Sequence, residues 1–311
     1  MKIVTLTINP ALDKSSSVAG IAPEKKLRCL APVYEAGGGG INVSRAIRKL
    51  GGESVALFTA GGSAGEMIRQ LLDAEEVSHQ VVKTQNWTRE NFIVVDSLTN
   101  RQYRFGMPGA LLYENEWKAC LETLKKLAQD AEFVVASGSL PEGVPVDFYA
   151  SVAKIAKAKK ARCVLDTSGE ALLLAAKEGV FMLKPNLGEL SALAGKNSVS
   201  ALEQEHLAQS LIEEGKAEVV VVSLGKQGAM LATKDQIKYV QAPTVHAQST
   251  VGAGDSMVGG MVLSLAQGKS YAEMVEYGVA AGTAATMNAG TQLCKKTDVD
   301  ALFNWIRDRR Q

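Results

Sequence analysis

Five short runs dominated by Val, Ile and Leu stand out along the chain, at residues 54–60, 132–136, 162–165, 180–183 and 218–224. They are apolar on both parities and too short for helices, the pattern of strands buried on both faces. Residues 3–8 have the same character and read as a first strand, since Asn9, Pro10 and Asp13 interrupt them too early for a signal-type apolar segment. Between most of these runs the apolar positions shift to helical spacing. Residues 41–50 form one such stretch, closed by Gly51 and Gly52, and residues 63–72 another, where Ser63 and Glu66 stand at the spacing of a capping box. Strands alternating with helices predict an α/β fold, a mostly parallel central sheet flanked by helices.

Two stretches break this alternation, residues 14–33 and 88–105, the second with strand-like segments on either side of a turn-rich centre at 97–100. Both carry basic residues, and both read as β-hairpin-like excursions that join into a small β-sheet lid over one edge of the core. Beyond Val251 the chain is rich in Gly, Ala and Met at helical spacing, as in closely packed C-terminal helices. A single α/β domain over residues 1–311 is expected, with lid excursions at about 14–33 and 88–106.

Charge and composition remove several classes of function. With 34 Lys and Arg against 33 Asp and Glu the formal net charge is +1, so no global field draws in nucleic acid or an anionic membrane, and any anion site must be local. No apolar run approaches the roughly 18 residues of a membrane span. Cys29, Cys120, Cys163 and Cys294 are scattered without metal or redox spacing, which fits a reducing cytoplasm. His79, His206 and His246 form no zinc-type pair.

The sharpest chemical signal is residues 249–256, STVGAGDS in one-letter code, followed by an apolar helical run at 257–266. Gly252 and Gly254 permit a tight turn into a helix whose unpaired N–H groups suit the negative charge of a transferring phosphoryl group. Asp255 stands at that helix mouth, where a carboxylate can accept a proton from an attacking hydroxyl, and the helix dipole is expected to keep it ionised. An isolated turn of this kind more often only caps a helix, so context decides. The chain has neither a P-loop nor a dinucleotide-binding glycine fingerprint.

A second signal is the run of four glycines at 37–40, which leads directly into a helix carrying Asn42. Four in a row are entropically expensive, and close approach of backbone to a ligand is the expected reason. Asn42 is placed to bond a sugar hydroxyl, and Asp13, after the first strand, falls near the carboxyl edge where open α/β sheets bind ligands.

Together, Gly37 to Asn42, residues 184–189 (KPNLGE), 223–228 (SLGKQG) and Thr250 to Asp255, in that order, resemble the signatures of the ribokinase-like (PfkB-type) carbohydrate kinases. The resemblance covers essentially the whole chain, and residues 27–29, 37–43, 103–105 and 137–141 are most similar to the non-P-loop 6-phosphofructokinase branch. It implies ATP-dependent transfer to the C1 hydroxyl of fructose 6-phosphate, with Asp255 as base and Gly252, Ala253 and Gly254 as anion hole. It further implies that Asn186 and Glu189 hold magnesium largely through water, that Lys184 approaches the triphosphate, and that Ser223, Gly225 and Gly228 lie under the nucleotide. Ser249, Val251, Ala285, Asn288 and Gly290 match a monovalent cation site for potassium, although Gln292 stands where relatives carry Arg.

The sugar ring would meet Asp13, Gly38, Gly39 and Asn42, and its phosphate Lys26, Arg89 and Arg104, with Arg28 and Ser139 as further contacts. All four cations lie in the two excursions. Relatives acting on fructose 1-phosphate carry Lys where this chain has Gly39, which favours fructose 6-phosphate. Tagatose 6-phosphate and fructose 1-phosphate remain alternatives, as does a silent sugar-phosphate-binding regulator. A homodimer through the lid, or a tetramer, is expected, with no nucleic-acid or membrane partner.

Overall fold

The structure, a computed structural model, describes residues 2–196 and 200–309. From the N-terminus come β1 (Ile3–Thr7), β2 (Ala11–Val18), β3 (Val33–Gly37), α1 (Gly39–Lys49), β4 (Val55–Ala60), α2 (Gly62–Ala74) and β5 (His79–Lys83). Then follow β6 (Arg89–Asp96), β7 (Arg101–Phe105), α3 (Glu114–Leu127), β8 (Phe133–Ser137), α4 (Phe148–Ala158), β9 (Arg162–Asp166), α5 (Gly169–Ala176) and β10 (Val180–Leu183). The last third holds α6 (Leu187–Leu193), α7 (Ala201–Glu213), β11 (Ala217–Ser223), β12 (Ala229–Ala232), β13 (Ile237–Val240), α8 (Ala253–Ala266), α9 (Tyr271–Thr286) and α10 (Lys296–Asp308).

Nine of the strands form one sheet in the order β13-β12-β11-β10-β9-β8-β1-β4-β5. From β11 to β5 every neighbouring pair is parallel, and only β12 and β13 return antiparallel at one edge. Each buried strand feeds both faces by alternation. Val134, Ala136, Val220 and Val222 pack with α3 to α7 on one side, while Phe133, Val135, Val219 and Val221 pack with α1, α8 and α9 on the other. The five apolar runs thus coincide with β4, β8, β9, β10 and β11 to within a residue at each end, β8 and β9 continuing one residue further, to Ser137 and Asp166.

A second sheet of four strands, in the order β3-β2-β6-β7, rises from the N-terminal half. Its centre is the parallel pair β2 and β6, in register from Ala11 opposite Arg89 to Val18 opposite Asp96. β6 and β7 make an antiparallel hairpin, and β2 and β3 also pair antiparallel, Ala11 opposite Gly37 to Ser15 opposite Val33, with bounds wider than residues 14–33. β2 already begins at Ala11, residues 19–32 are irregular, and β3 runs from Val33 to Gly37. Leu12 and Ala36 anchor the root of this sheet in a small core with Ile41, Phe58, Ile68 and Leu72.

The capping box expected at Ser63 and Glu66 does not form. α2 starts one residue earlier, with Gly61 as its N-cap and no side-chain cap, and Glu66 pairs with Arg69 at 2.6 Å instead. The cause is the connection into β6, which docks on Gly61: Thr88 N–H donates to Gly61 O at 2.9 Å, and a Cβ on Gly61 would lie 2.1 Å from Asn86 O.

α8 is buried from Ser256 to Ala266. Gly259 lets α1 approach it so closely that an added Cβ would lie 2.9 Å from the Ala46 Cβ, and Gly260 does the same for Ala281 of α9. The middle of α8 is thereby clamped between two helices. Among the described residues no helix is long and apolar enough to cross a membrane.

Candidate active site

The carboxyl ends of the parallel strands deliver Thr7 from β1, Ser137 from β8, Asp166 from β9 and Ser223 from β11, with Lys184 one residue past β10. This is the edge at which open α/β sheets bind ligands. The four-glycine run lies across it, packed closely against the protein itself. A Cβ on Gly39 would sit 2.2 Å from Ser137 Oγ, one on Gly40 would sit 2.4 Å from Leu6 O, and one on Gly37 would sit 2.4 Å from Asp13 Oδ2. The run is glycine because the chain is pressed against β1, β8 and Asp13. Gly38, at φ 113°, also needs a conformation that side chains disfavour. With no side chain at that N-cap, Thr7 takes over its task, accepting the Ile41 N–H at 2.8 Å.

At the other side of the edge, Gly252 adopts a left-handed φ of 71° and caps α8, so Ala253 and Gly254 open the helix with unpaired N–H groups and Asp255 follows in the first turn. Lys184 is buried beside them, and a Cβ on Gly254 would lie 3.7 Å from its Nζ. Burial works against the ammonium, yet Asp166, 3.1 Å away, holds Lys184 above the ordinary lysine range.

The helix dipole expected to favour the ionised form of Asp255 is not the largest influence on it. Burial and then repulsion from Asp166 push its carboxyl up to about 6, against the opposing hydrogen bond from Asn42 and the charge of Lys184. The dipole is one partial charge at a site that desolvates the carboxylate and sets a second acid beside it. Asn42 Nδ2 donates to Asp255 Oδ2 at 2.9 Å, so this amide reaches the carboxylate directly. Asp13, also buried, accepts from Asn91 Nδ2 at 2.8 Å; burial raises its carboxyl above the usual range.

The basic residues are less uniformly placed. Arg104 reaches from β7 to the glycine turn, its Nη2 donating to Thr250 Oγ1 at 3.2 Å. Arg89 donates to the carbonyls of Asn9 at 3.1 Å and Met107 at 3.0 Å, which ties the foot of the lid together. Ser139 accepts from Asn9 Nδ2 at 3.0 Å on the same flank. Lys26 and Arg28 lie exposed on the irregular segment.

Beyond β10, Asn186 caps α6 in a reciprocal box: Glu189 N–H donates to Asn186 Oδ1 at 2.9 Å, and Asn186 N–H to Glu189 Oε2 at 2.8 Å. Burial, with repulsion from Asp166, raises Glu189 above its usual range. Two carboxylates that repel one another beside an amide oxygen form an all-oxygen set suited to magnesium bound through water. Among the described residues no cluster of three or more His, Cys, Asp or Glu could hold a metal by itself. Ser223 N–H donates to Pro185 O at 2.9 Å, joining the two segments. Gly225 opens the turn after it, and Gly228 leaves room for β13, since a Cβ there would lie 1.9 Å from Val240 O.

Behind the glycine turn, the N–H groups of Gln248 and Ser249 donate to Thr286 O at 2.8 and 3.3 Å, and Ser249 Oγ accepts from Val251 N–H. Ser249 and Val251 are thus set beside Ala285 and Asn288 at the end of α9. Gly290 sits opposite the lid, where its Cβ would lie 3.7 Å from Ser15 Oγ.

Sequence reasoning missed Asp166, Thr7 and Arg45. Asp166 had a usable signal, an acid immediately after a buried strand, but the run was ended at Leu165. Arg45 reads as an ordinary charged residue of α1, and only the fold shows that it is buried.

A parallel sheet with its ligand edge under a small β-sheet, a glycine-turn helix start and an acid at its mouth define a phosphoryl-transfer class that does not use a P-loop. The profile of the pfkB family carbohydrate kinases matches residues 3–298, and the chain belongs to that family. It is 45% identical over 307 residues to ATP-dependent 6-phosphofructokinase isozyme 2 of Escherichia coli, covering 98% of this chain and 99% of that one. The crystal structure of phosphofructokinase-2 from Escherichia coli in complex with potassium superposes with a TM-score of 0.95, covering 98% and 99% of the two chains at 45% identity. The tetrameric inhibited form of the same enzyme gives 0.93, at 44% identity over the same shares.

Proposed function

We propose that this chain is an ATP-dependent 6-phosphofructokinase, and that Asp255 is its base. The observation that carries the reading is a carboxyl raised to about 6 at the start of α8, beside the free N–H groups of the anion hole. A base works best when its pKa lies near the working pH. The C1 oxygen of fructose 6-phosphate bonds to the γ-phosphorus, its proton passes to Asp255, and the β–γ bridging oxygen leaves with ADP. Gly252, Ala253 and Gly254 donate to the equatorial oxygens, and Lys184 neutralises charge on the triphosphate. Magnesium, held by waters on Asn186 and Glu189, supplies further neutralisation when bound. Potassium would sit behind the turn on Ser249, Val251, Ala285, Asn288 and Gly290, keeping the N–H groups aimed.

The sugar ring is gripped by Asp13, Gly38, Gly39 and Asn42, and its phosphate by Arg104, Arg89, Lys26, Arg28 and Ser139. The contact of Gly39 with Ser137 supports the choice of substrate, since a lysine at that position would have to displace the end of β8. The chain works as one α/β kinase domain in which the four-stranded sheet is the lid. We assign it to the cytoplasm on its four free cysteines, three of them buried. A second copy covers the lid face on which Tyr103 and Phe105 of β7 are 38% and 49% exposed. The apolar residues Ile93 and Val94 of β6 are instead buried within the protein.

ADP release with magnesium-ATP is to be compared for fructose 6-phosphate, tagatose 6-phosphate, fructose 1-phosphate and fructose. A lead of tenfold or more in kcat/KM for fructose 6-phosphate, about 1.4 kcal/mol of transition-state preference, supports the assignment. A lead for another sugar overturns the substrate, and tight sugar-phosphate binding without turnover overturns the enzyme.

A further inference from the structure

We propose that Arg45 is a positioning residue for the base: its guanidinium fixes the Asn42 amide that orients Asp255, and it suspends this chain of contacts from the lid strand β3. The inference rests on the reading of Asp255 as the base.

Arg45 projects from α1 and is 2% exposed. Nε and Nη2 donate to the two oxygens of Glu75 at 2.8 and 2.6 Å, Nη2 also meets Glu35 Oε1 at 3.4 Å, and Nη1 donates to Ala36 O at 2.7 Å and faces Asn42 Oδ1 at 3.4 Å. A guanidinium has five N–H donors, and here each has an acceptor. A structural clamp joining β3, α1 and α2 needs only the contacts to Glu35, Glu75 and Ala36. The remaining donor goes to the amide that touches the base.

That contact determines which way the amide points. An Asn side chain turned by 180° keeps its shape but exchanges oxygen for NH2. Turned that way, Asn42 would set its oxygen against the Asp255 carboxylate and its NH2 against a group that can only donate. With Arg45 in place, Oδ1 is held by the guanidinium and Nδ2 is left to Asp255, at 2.9 Å. The charged groups facing Asp255 are otherwise Asp166, Lys184 and Asp13, and those facing Arg45 are Glu35 and Glu75. The chain of contacts extends outward as well, because the second oxygen of Glu35 accepts the Thr291 hydroxyl. Thr291 lies one residue from Gly290. The lid strand, the loop behind the anion hole and the base therefore meet at one side chain.

Arg45→Lys tests this, because lysine keeps the buried positive charge but has three donors and no planar fork. The parent, Arg45→Lys, Asn42→Ala and the double variant are compared by kcat and KM with magnesium-ATP and fructose 6-phosphate, and by thermal melting. We expect Arg45→Lys to lower kcat about tenfold with both KM values within about twofold, and to raise the acid limb of kcat/KM. In the double variant kcat falls no further than in Asn42→Ala alone, since the action of Arg45 runs through that amide. A kcat for Arg45→Lys within twofold of the parent, or losses that multiply in the double variant, overturns the inference. If Arg45→Lys does not melt as a folded protein, Glu75→Gln takes its place, loosening two of the five contacts; a twofold to threefold loss absent in the Asn42→Ala background is then expected, and its presence there overturns the inference. A parent without turnover overturns the base assignment and this inference together, whereas an active parent with an unaffected Arg45→Lys overturns this inference alone.

Discussion

Replacing Asn42 by Ala removes the one side-chain hydrogen bond that opposes the upward shift of Asp255. A hydrogen bond to an ionised group contributes about 1.5–3 kcal/mol, and one pKa unit corresponds to about 1.4 kcal/mol, so loss of the amide raises the carboxyl by about one unit once water has partly refilled the space. Starting from about 6, the base then titrates near neutrality. The sign follows from which form is bonded: Asn42 donates to the carboxylate, so without it the protonated acid is favoured and the active base is lost from the acid side. For a shift of one unit the ionised fraction falls about fivefold at pH 6, about twofold at pH 7 and hardly at all above pH 8. The assay is kcat/KM for the sugar phosphate from pH 5.5 to 9, each enzyme scaled to its own alkaline plateau, which removes any separate loss of sugar contact. The substrate's phosphate also titrates near pH 6, but identically for both enzymes, so the displacement between the curves belongs to the protein. An acid limb that stays in place, or moves down, refutes the assignment of Asp255 as the group seen and of Asn42 as its support.

Asp255→Asn should lower kcat by at least about a hundredfold, the smaller end of what general-base removal costs, while calorimetric affinity for the sugar phosphate stays within a few-fold. Gly259→Val should wedge α1 away from α8 and destabilise the protein by about 1–3 kcal/mol in urea melts, with a loss of kcat as Asn42 is drawn from Asp255; an unchanged melt would show that the clamp has slack. Glu189→Gln keeps a capping partner for Asn186, so the melting temperature should hardly move, but the magnesium concentration for half-maximal rate should rise several-fold. Arg104→Ala should raise KM for the sugar phosphate and not for ATP, and equal effects on both would remove Arg104 from the phosphate site.

Much of the frame was legible in the sequence because buried parallel strands announce themselves as unbroken apolar runs, and because the glycine turn before the long apolar helix stands in order with three further motifs. The acid at the mouth of α8 was legible for the same reason. Its ionisation was not, since a carboxyl's environment depends on Asp166 and Lys184, which approach only when β9 and β10 lie side by side. The glycine run was seen, but its close packing against the protein was not. Its constraint comes from Leu6, Ser137 and Asp13, residues brought against it by the fold. Capping at Ser63 failed likewise, because local spacing cannot reveal that the β6 connection docks on Gly61. Arg45 left no mark at all, as a buried arginine in a helix looks like a surface one until its five acceptors are known.

The parallel pairing of β2 with β6 sets the order in which the protein can be made. Asp13 and Asn91, joined across that pair, are 78 positions apart, and α1, β4, α2 and β5 lie between them. A growing chain that has emerged only through α2 holds β2 and β3 with an open edge and no partner for it. Such long-range pairing forms slowly and leaves sticky strand edges in the interval. Asp255 arrives later still. An N-terminal fragment that ends before β6 consequently holds Asp13, Gly38, Gly39 and Asn42 but lacks Asn91, Arg104 and Asp255, so on the proposed reading recovery of sugar-phosphate affinity on refolding should trail the pairing of β2 with β6.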